Sequence, residues 1–510
     1  MKSLGVLALV LTAAIAKAQS TTIVSIWPYQ TFVTEPNLRP PIAALNKTGD
    51  TAPGHIIFAQ SGRVGAEQAG IITTENGQLL WNSDPTLPKM STLTPFVLDG
   101  KKVLAYWTGI SLDSRGDDYG TVTIIDDSYQ FLYNITLADP DLQLYGVYPS
   151  LLNSHEVYIT DHGTFVGLSY DAIPWDLSPV GGPTEGWLRD GVVYEIDIKT
   201  NNVLFKWRAS EHIQITRSRD PGHSQRSGFG NSSDSAWDYV HLNSVSSFED
   251  GYIISARHTF DAIYVSKSTG NVIWRLQGED GGDFSLSPGA AFRWQHDIRL
   301  ERSRGELLLH LHDNENNYTA PYNATTGKLI KLDTEAMTAE EVQIFAPSYE
   351  RLQASSGGSY QPLRNDNVLI YFGSQPVIKE FRRDGVEIYS YRFGPSDAPT
   401  NPGVGAYRAF KSEWKGYPIT SPKVSACRNS NGTVNVFMSW NGATETKSWN
   451  IYSGSSQSNL KHKAATVKKV DFETFATIPE ASFVQVEAIG GCSIHNETRL
   501  SDVVAVSESC

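Results

Sequence analysis

A short pattern recurs along the chain. A run of β-branched or aromatic residues leads into a turn bearing Gly, Asp or Asn, and a short apolar run then ends on Trp, Phe or Tyr. Residues 262–274 carry it most clearly, with Thr269-Gly270-Asn271 at the turn. Residues 69–81 and 192–207 repeat it, and 121–133, 377–391 and 307–332 are weaker copies. Period-two alternation on both sides of a tight turn reads as a β-hairpin. One hairpin cannot bury its faces, so copies must stack on one another, and the closed way to stack them is a β-propeller of four-stranded blades. The expectation is an all-β, six-bladed β-propeller with long loop insertions, one domain over 19–510. The runner-up, two β-sandwich domains, lacks a Pro/Gly/Ser-rich linker to divide the chain. Helical periodicity is nearly absent, and 338–344 is the one stretch read as a short helix.

Composition agrees with strands and turns. The 510 residues include Gly 42, Pro 25, Tyr 23, Phe 20 and Trp 12 against Met 4. Hydrophobic residues at 40 % and charged residues at 19 % exclude a disordered chain. A net charge of −13 argues against nucleic acid as a partner, because phosphate binding needs basic faces.

The N-terminus reads as a secretory signal over 1–18: Lys2, an apolar run over 4–15, then Ala16-Lys17-Ala18 as a small-x-small cleavage site. That run is shorter than the ~20 residues a bilayer span needs, and no later run is long enough. A secreted or luminal protein is expected, with seven Asn-x-Ser/Thr sequons, at Asn46, Asn134, Asn231, Asn317, Asn323, Asn431 and Asn496, as glycosylation sites. Three cysteines, Cys427, Cys492 and Cys510, allow one disulfide, with Cys492–Cys510 the shortest loop.

Standard enzyme signatures are missing: no G-x-S-x-G elbow, no H-E-x-x-H, no phosphate loop, no dinucleotide fingerprint. Polar residues instead gather in four strand-like, aromatic segments, 153–158, 237–245, 252–259 and 292–299, each with a histidine. Taken singly, a histidine in a propeller strand is more often a structural hydrogen bonder. Four such segments weaken that account, because the first strands of propeller blades bring distant residues to one mouth of the channel. His310-Leu311-His312-Asp313 puts two histidines on one strand face, but with no clear third ligand no metal is expected. Asp283 and Asp297 as a glycosidase carboxylate pair are a weak alternative.

These segments resemble the arylsulfotransferase family, in particular its fungal branch. His241-Leu242-Asn243-Ser244-Val245, Ser255-Ala256-Arg257-His258-Thr259 and Trp294-Gln295-His296-Asp297 carry the resemblance in that order, with Pro53-Gly54, Gln68-Ala69-Gly70, Leu104-Ala105-Tyr106-Trp107, 355–358, Tyr407-Arg408 and 439–444 in support. The resemblance implies transfer of a sulfuryl group from an aryl sulfate to a phenol through a sulfohistidine, with no phospho-adenylyl donor and no cofactor. It implies His296 as the acceptor of the sulfuryl group, Arg257 as the sulfate clamp, His241 as a second pocket histidine and His155 as an acid/base partner. His258, Asn243, Tyr239 and Trp294, from the same segments, are expected to line the pocket of a small aromatic substrate. Two other functions compete: a propeller enzyme of secondary metabolism using the same pocket for cyclisation or rearrangement, and a non-catalytic binding propeller. The sulfohistidine reading requires His155, His241, Arg257 and His296 to converge at one end of the channel.

Overall fold

The computed structural model describes residues 27–62, 68–111, 118–142, 148, 150–220, 230–315, 324–395, 404–460, 462–490 and 499–509; the expected leader at 1–18 and the sequons Asn317, Asn323 and Asn496 lie outside them. Among these residues the strands form eight sheets. Five contain antiparallel meanders of four successive strands. The second sheet runs Met90–Leu98, Lys101–Ser111, Asp118–Ile125 and Phe131–Ile135; the third Tyr158–Ile159, Thr164–Trp175, Gly186–Asp197 and Val203–Arg208. The fourth is Leu242–Phe248, Gly251–Ala256, Asp261–Ser266 and Val272–Gln277, and the fifth His296–Ser303, Glu306–Asp313, Thr326–Asp333 and Thr338–Phe345. The sixth is Ser359–Pro362, Val368–Tyr371, Val377–Phe381 and Glu387–Arg392, with Ala44–Lys47 added at its outer edge.

The first sheet joins distant parts of the chain. His55–Gly62, Ala69–Thr73 and Leu79–Asn82 take their innermost strand, Ala409–Ser412, from far downstream, with Ile57 opposite Phe410. Hydrophobic clusters then lie between every neighbouring pair of these sheets. Phe165 and Tyr194 of the third sheet pack on Trp107 and Val122 of the second; Phe58 and Ile71 of the first pack on Tyr371 and Tyr391 of the sixth. The sheets stack cyclically, and the expected all-β propeller is the fold.

Five of the six hairpins read from the sequence are the third and fourth strands of a sheet, counted from the innermost. The weakest, 307–332, is instead the second and third strands of the fifth sheet. Its outer strand is Thr338–Phe345, which corrects the helix expected over 338–344. The Ala-Glu-Glu-Val-Gln run favours helix locally, but pairing with Thr326–Asp333 overrides that preference.

The last two sheets stand outside the meanders. One comprises Lys423–Arg428, Val434–Ser439 and Glu473–Ile478; the other His462–Lys468, Ser448–Gly454, Phe483–Ile489 and Val504–Ala505. They share a core of their own around Val436, Trp449, Ile451 and Val486, so the chain beyond 423 adds a two-sheet sandwich to the ring. Side-chain and backbone hydrogen bonds tie it down: Asn441 Nδ2 to the Asn82 carbonyl at 2.8 Å, and the Val33 and Thr34 amides to Glu473 at 2.9 and 2.6 Å. Cys427, in this sandwich, is disulfide-bonded. With three cysteines in the chain, a bonded Cys427 excludes the expected Cys492–Cys510 bridge; Cys492 and Cys510 themselves lie outside the described residues.

Candidate active site

The segments carrying histidines open the first strands of their sheets, or return to the same end. His155 precedes Tyr158–Ile159, His241 precedes Leu242–Phe248, Arg257 and His258 follow Gly251–Ala256, and His296 begins His296–Ser303. Bulges interrupt the pairing at Leu242/Ser244 and His296/Arg299. His241, Trp294 and Asp297 have φ of +46°, +56° and +53°. Left-handed backbone costs an L-residue about 1–3 kcal/mol, and bulges re-aim side chains beside functional sites. The sequence thus turns its polar residues inward at one mouth.

There they converge. The ring centroids of His155 and His241 lie 4.9 Å apart, and those of His241 and His258 also 4.9 Å. Tyr407 bridges to the rest, 5.4 Å from His155 and 6.0 Å from His296. The Arg257 guanidinium sits 5.0 Å over the Trp294 ring, donates to His258 Nε2 at 2.9 Å and reaches the Ser355 carbonyl at 3.2 Å.

The four imidazoles are held alike. Each uses Nδ1 against a fixed acceptor: His155 on Asn153 Oδ1, His241 on Asp238 Oδ2 at 2.5 Å, His258 on the Asp238 carbonyl at 2.6 Å and His296 on Asn314 Oδ1 at 2.7 Å. Asn314 donates its Nδ2 to the carbonyls of Ala354 and Gly357, both at 3.1 Å, which leaves its Oδ1 to accept. Each ring therefore carries its proton on Nδ1 and presents the Nε2 lone pair to the site. His258 Nε2 accepts from Arg257, and His296 Nε2 accepts the Gly357 N–H at 3.1 Å. His241 Nε2 and His155 Nε2 have no hydrogen-bond partner among the described residues. Burial, with cationic neighbours, pushes His155 and His296 well below the usual imidazole range and His258 down to about 3. Burial alone would raise the Asp238 carboxyl, but the adjacent His241 ring and its hydrogen bond bring it well below the ordinary value.

Asp297, next in sequence to His296, does not orient its ring. Directly beneath the histidines, Glu156, Asp297, Arg299 and Arg408 form a buried ionic layer. Arg299 bridges Glu156 at 2.9 Å and Asp297 at 2.8 Å, while Arg408 grips Glu156 and comes within 3.5 Å of Asp297. Glu156 and Arg408 are 0 % and 1 % exposed, so this layer forms a buried floor beneath the histidines. Asn243 belongs to the wall: its Nδ2 donates to the Gln295 carbonyl at 2.7 Å, and its own carbonyl accepts from Tyr407 and Arg408 at 3.2 Å each. Tyr239 is buried in the core cluster between the third and fourth sheets, which corrects its expected place on the pocket. Trp294 and His258 sit against the Arg257 guanidinium, at 5.0 Å and 2.9 Å.

Sequence reading missed Asp238, Asn314 and Glu156, and used Tyr407-Arg408 only as a matching pair. Asp238 was findable, three residues before His241 in a segment already singled out. Asn314 was not, because nothing local marks its reach to His296. Asp283 accepts the Arg275 amide at a strand turn while Asp297 lies in the floor, so they make no glycosidase pair. His310 stacks on Tyr360 at 4.7 Å and Asp313 pairs with Lys328 at 3.0 Å, so that stretch does not converge on one point. Asp238, His241 and His258 offer ligand atoms within 4.8 Å of one another, a spacing an ion fits, but Arg257 already holds the His258 Nε2 lone pair.

The arylsulfotransferase (ASST) family model matches residues 94–394, more than half of the chain and all four histidine segments. The chain belongs to the arylsulfotransferase family. Tyr407, Arg408 and the C-terminal sandwich lie outside the matched span. No curated protein sequence matches this family member. Solved structures to which it is similar include a protein of unknown function from Bacteroides caccae (12 % identity, 71 % of this chain and 99 % of that chain, TM-score 0.39). A putative 6-phosphogluconolactonase from Bacteroides fragilis (12 % identity, 72 % and 100 %, TM-score 0.34) and an α-L-arabinanase from Penicillium chrysogenum (11 % identity, 76 % and 94 %, TM-score 0.32) are similar in the same way.

Proposed function

We propose that this arylsulfotransferase-family protein moves a sulfuryl group from an aryl sulfate to a phenol in two steps through a histidine adduct, with no phospho-adenylyl donor. The observation that carries the reading is the convergence of His155, His241, His258 and His296 on Arg257 at one mouth. A neutral imidazole nitrogen is a nucleophile at pH 7, and the charge that develops on the sulfuryl oxygens calls for a guanidinium beside it. In the first step Nε2 attacks sulfur, the S–O bond to the aryl group breaks and the leaving phenolate takes a proton. In the second, the acceptor phenol gives its proton to a base, its oxygen attacks sulfur, and the N–S bond breaks to restore the ring.

His296 is the adduct site on the family resemblance: neutral, its tautomer held by Asn314, its attack releasing the Gly357 N–H. His241, oriented by Asp238, is the acid and base, with His155 beside it. One observation favours a second assignment, His241 as the adduct site: its Nε2 is unpartnered, whereas that of His296 is not. The test is rapid mixing with 4-nitrophenyl sulfate, alkaline quench and peptide mass mapping. A sulfuryl group on the His296 peptide, ping-pong kinetics and loss of both in His296→Ala support the first assignment; the group on the His241 peptide supports the second. A folded protein that shows no sulfuryl transfer refutes both. We further propose a six-bladed count for the ring, membership of the fungal branch, and entry to the secretory pathway through the 1–18 leader.

A further inference from the structure

The histidines occupy the starts of the first strands. At the far ends of the innermost strands of the first, second, third and sixth sheets lies a cavity of about 430 Å³. It is built from four neighbouring sheets. Pro95 and Phe96 come from the end of Met90–Leu98, Lys102 from the strand after it, Asp161 from just beyond Tyr158–Ile159, Arg364 from just beyond Ser359–Pro362, and Glu413 from just beyond Ala409–Ser412. The Glu156–Arg299–Asp297–Arg408 layer lies between the two mouths, so this cavity is not a continuation of the histidine pocket.

Its lining carries three cations, Lys102, Arg364 and Lys411, against two carboxylates, Asp161 and Glu413. Arg364 is exposed and makes no ion pair among the described residues. The Lys102 ammonium spends one donor on the Glu413 carbonyl; burial, with Arg364 and Lys415 nearby, pulls its pKa below the ordinary lysine value, against the pull of Glu413. Lys411, also in the lining, is neutralised by Glu380 at 2.9 Å. The Asp161 and Glu413 carboxylates also stand in the lining, Glu413 beside Lys102, but neither forms an ion pair with Arg364 among the described residues. The lining also holds apolar groups: Pro95, Phe96 and two further prolines. We propose that this cavity binds a small aromatic anion, its ring on Pro95 and Phe96 and its anionic group on Arg364 and Lys102. A planar guanidinium suits a multi-oxygen anion, and a volume of this size encloses one substituted aromatic ring system.

The experiment is calorimetric titration of the full chain with 2-naphthalenesulfonate, whose carbon–sulfur bond offers no ester for transfer. Two binding sites are expected. Lys102→Met with Arg364→Met weakens one at least tenfold and leaves the other, whereas Arg257→Met weakens the other alone. Arg364→Gln, at an exposed position, gives a weaker loss at the first site in a protein of unchanged melting temperature. No binding site that weakens with Lys102 and Arg364 overturns the proposal, whatever the Arg257 arm shows; a single site that does weaken with them upholds it. The Arg257 arm reports on the sulfuryl-transfer pocket by itself, so failure there is distinguishable from failure here.

Discussion

At the residue scale, function rests on how each imidazole is held. Asp238 is the one carboxylate that fixes a pocket histidine, so Asp238→Asn keeps the shape and loses the charge that supports His241 as it takes a proton. A fall in kcat of roughly 10²-fold or more is expected with little change in fold, since positioned acid–base groups contribute about 10²–10⁴; unchanged kcat would remove His241 from the mechanism. Burial also makes the histidines a pH liability. His258 is pushed down to about 3, and His310 and His312 to about 4. In the unfolded chain they take up protons near 6.5. Between these values the unfolded state binds more protons, so stability falls as pH drops, by about 1.4 kcal/mol per pH unit for each group. Asp261, raised to about 6 by burial, has the opposite sign, as do Asp127, Asp190, Glu301 and Asp313, also raised by burial, but the lowered histidines, with His55, His155, His212 and His296 among them, outnumber these acids. Thermal melts are expected to show Tm dropping steeply from pH 6.5 to 4.5; a flat profile contradicts the neutral, buried histidines.

At the element scale, the connection before the sixth sheet matters most. Gly357 gives its N–H to His296, and Gly358, at φ +117°, packs against the His312 ring with no room for a Cβ. Gly358→Ala is expected to cost about 1–3 kcal/mol from the backbone alone and more from the ring contact. It should also lower kcat, because the Gly357 amide moves with it; chemical denaturation and initial rates measure the two. The hairpins were legible because their signal is local: alternation, a turn residue, a closing aromatic. The outer strand of the fifth sheet was not, since Thr338–Phe345 is a strand only by virtue of the neighbour it pairs with.

At the scale of the whole molecule, the ring is closed twice, by backbone where Ala409–Ser412 joins His55–Gly62 and by charge where Arg408 spans to Glu156 and Asp297. Removing one partner of a buried ionic network leaves the others uncompensated and typically costs about 3–5 kcal/mol. Arg408→Met should therefore lower the denaturation midpoint strongly, and adding Glu156→Gln should recover part of the loss; additive losses would mean that the layer is not a network. The outer surface carries Asn46, Asn134, Asn231 and Asn431 in exposed positions. Protein expressed through a secretory pathway is expected to lose mass on endoglycosidase treatment, and an unchanged mass would count against the secreted reading.

Alternation and turn chemistry in the chain decide the all-β hairpins, and the ordered histidine motifs decide the family, because both are written in residues a few positions apart. Tertiary structure alone decides which nitrogen of each histidine faces the pocket, that Asn314 rather than Asp297 holds His296, that Tyr239 belongs to the core, and that Glu156, Asp297, Arg299 and Arg408 separate two mouths. Those outcomes join residues up to 252 positions apart. Such contacts exist only once sheet closure has overcome the chain entropy that keeps them apart.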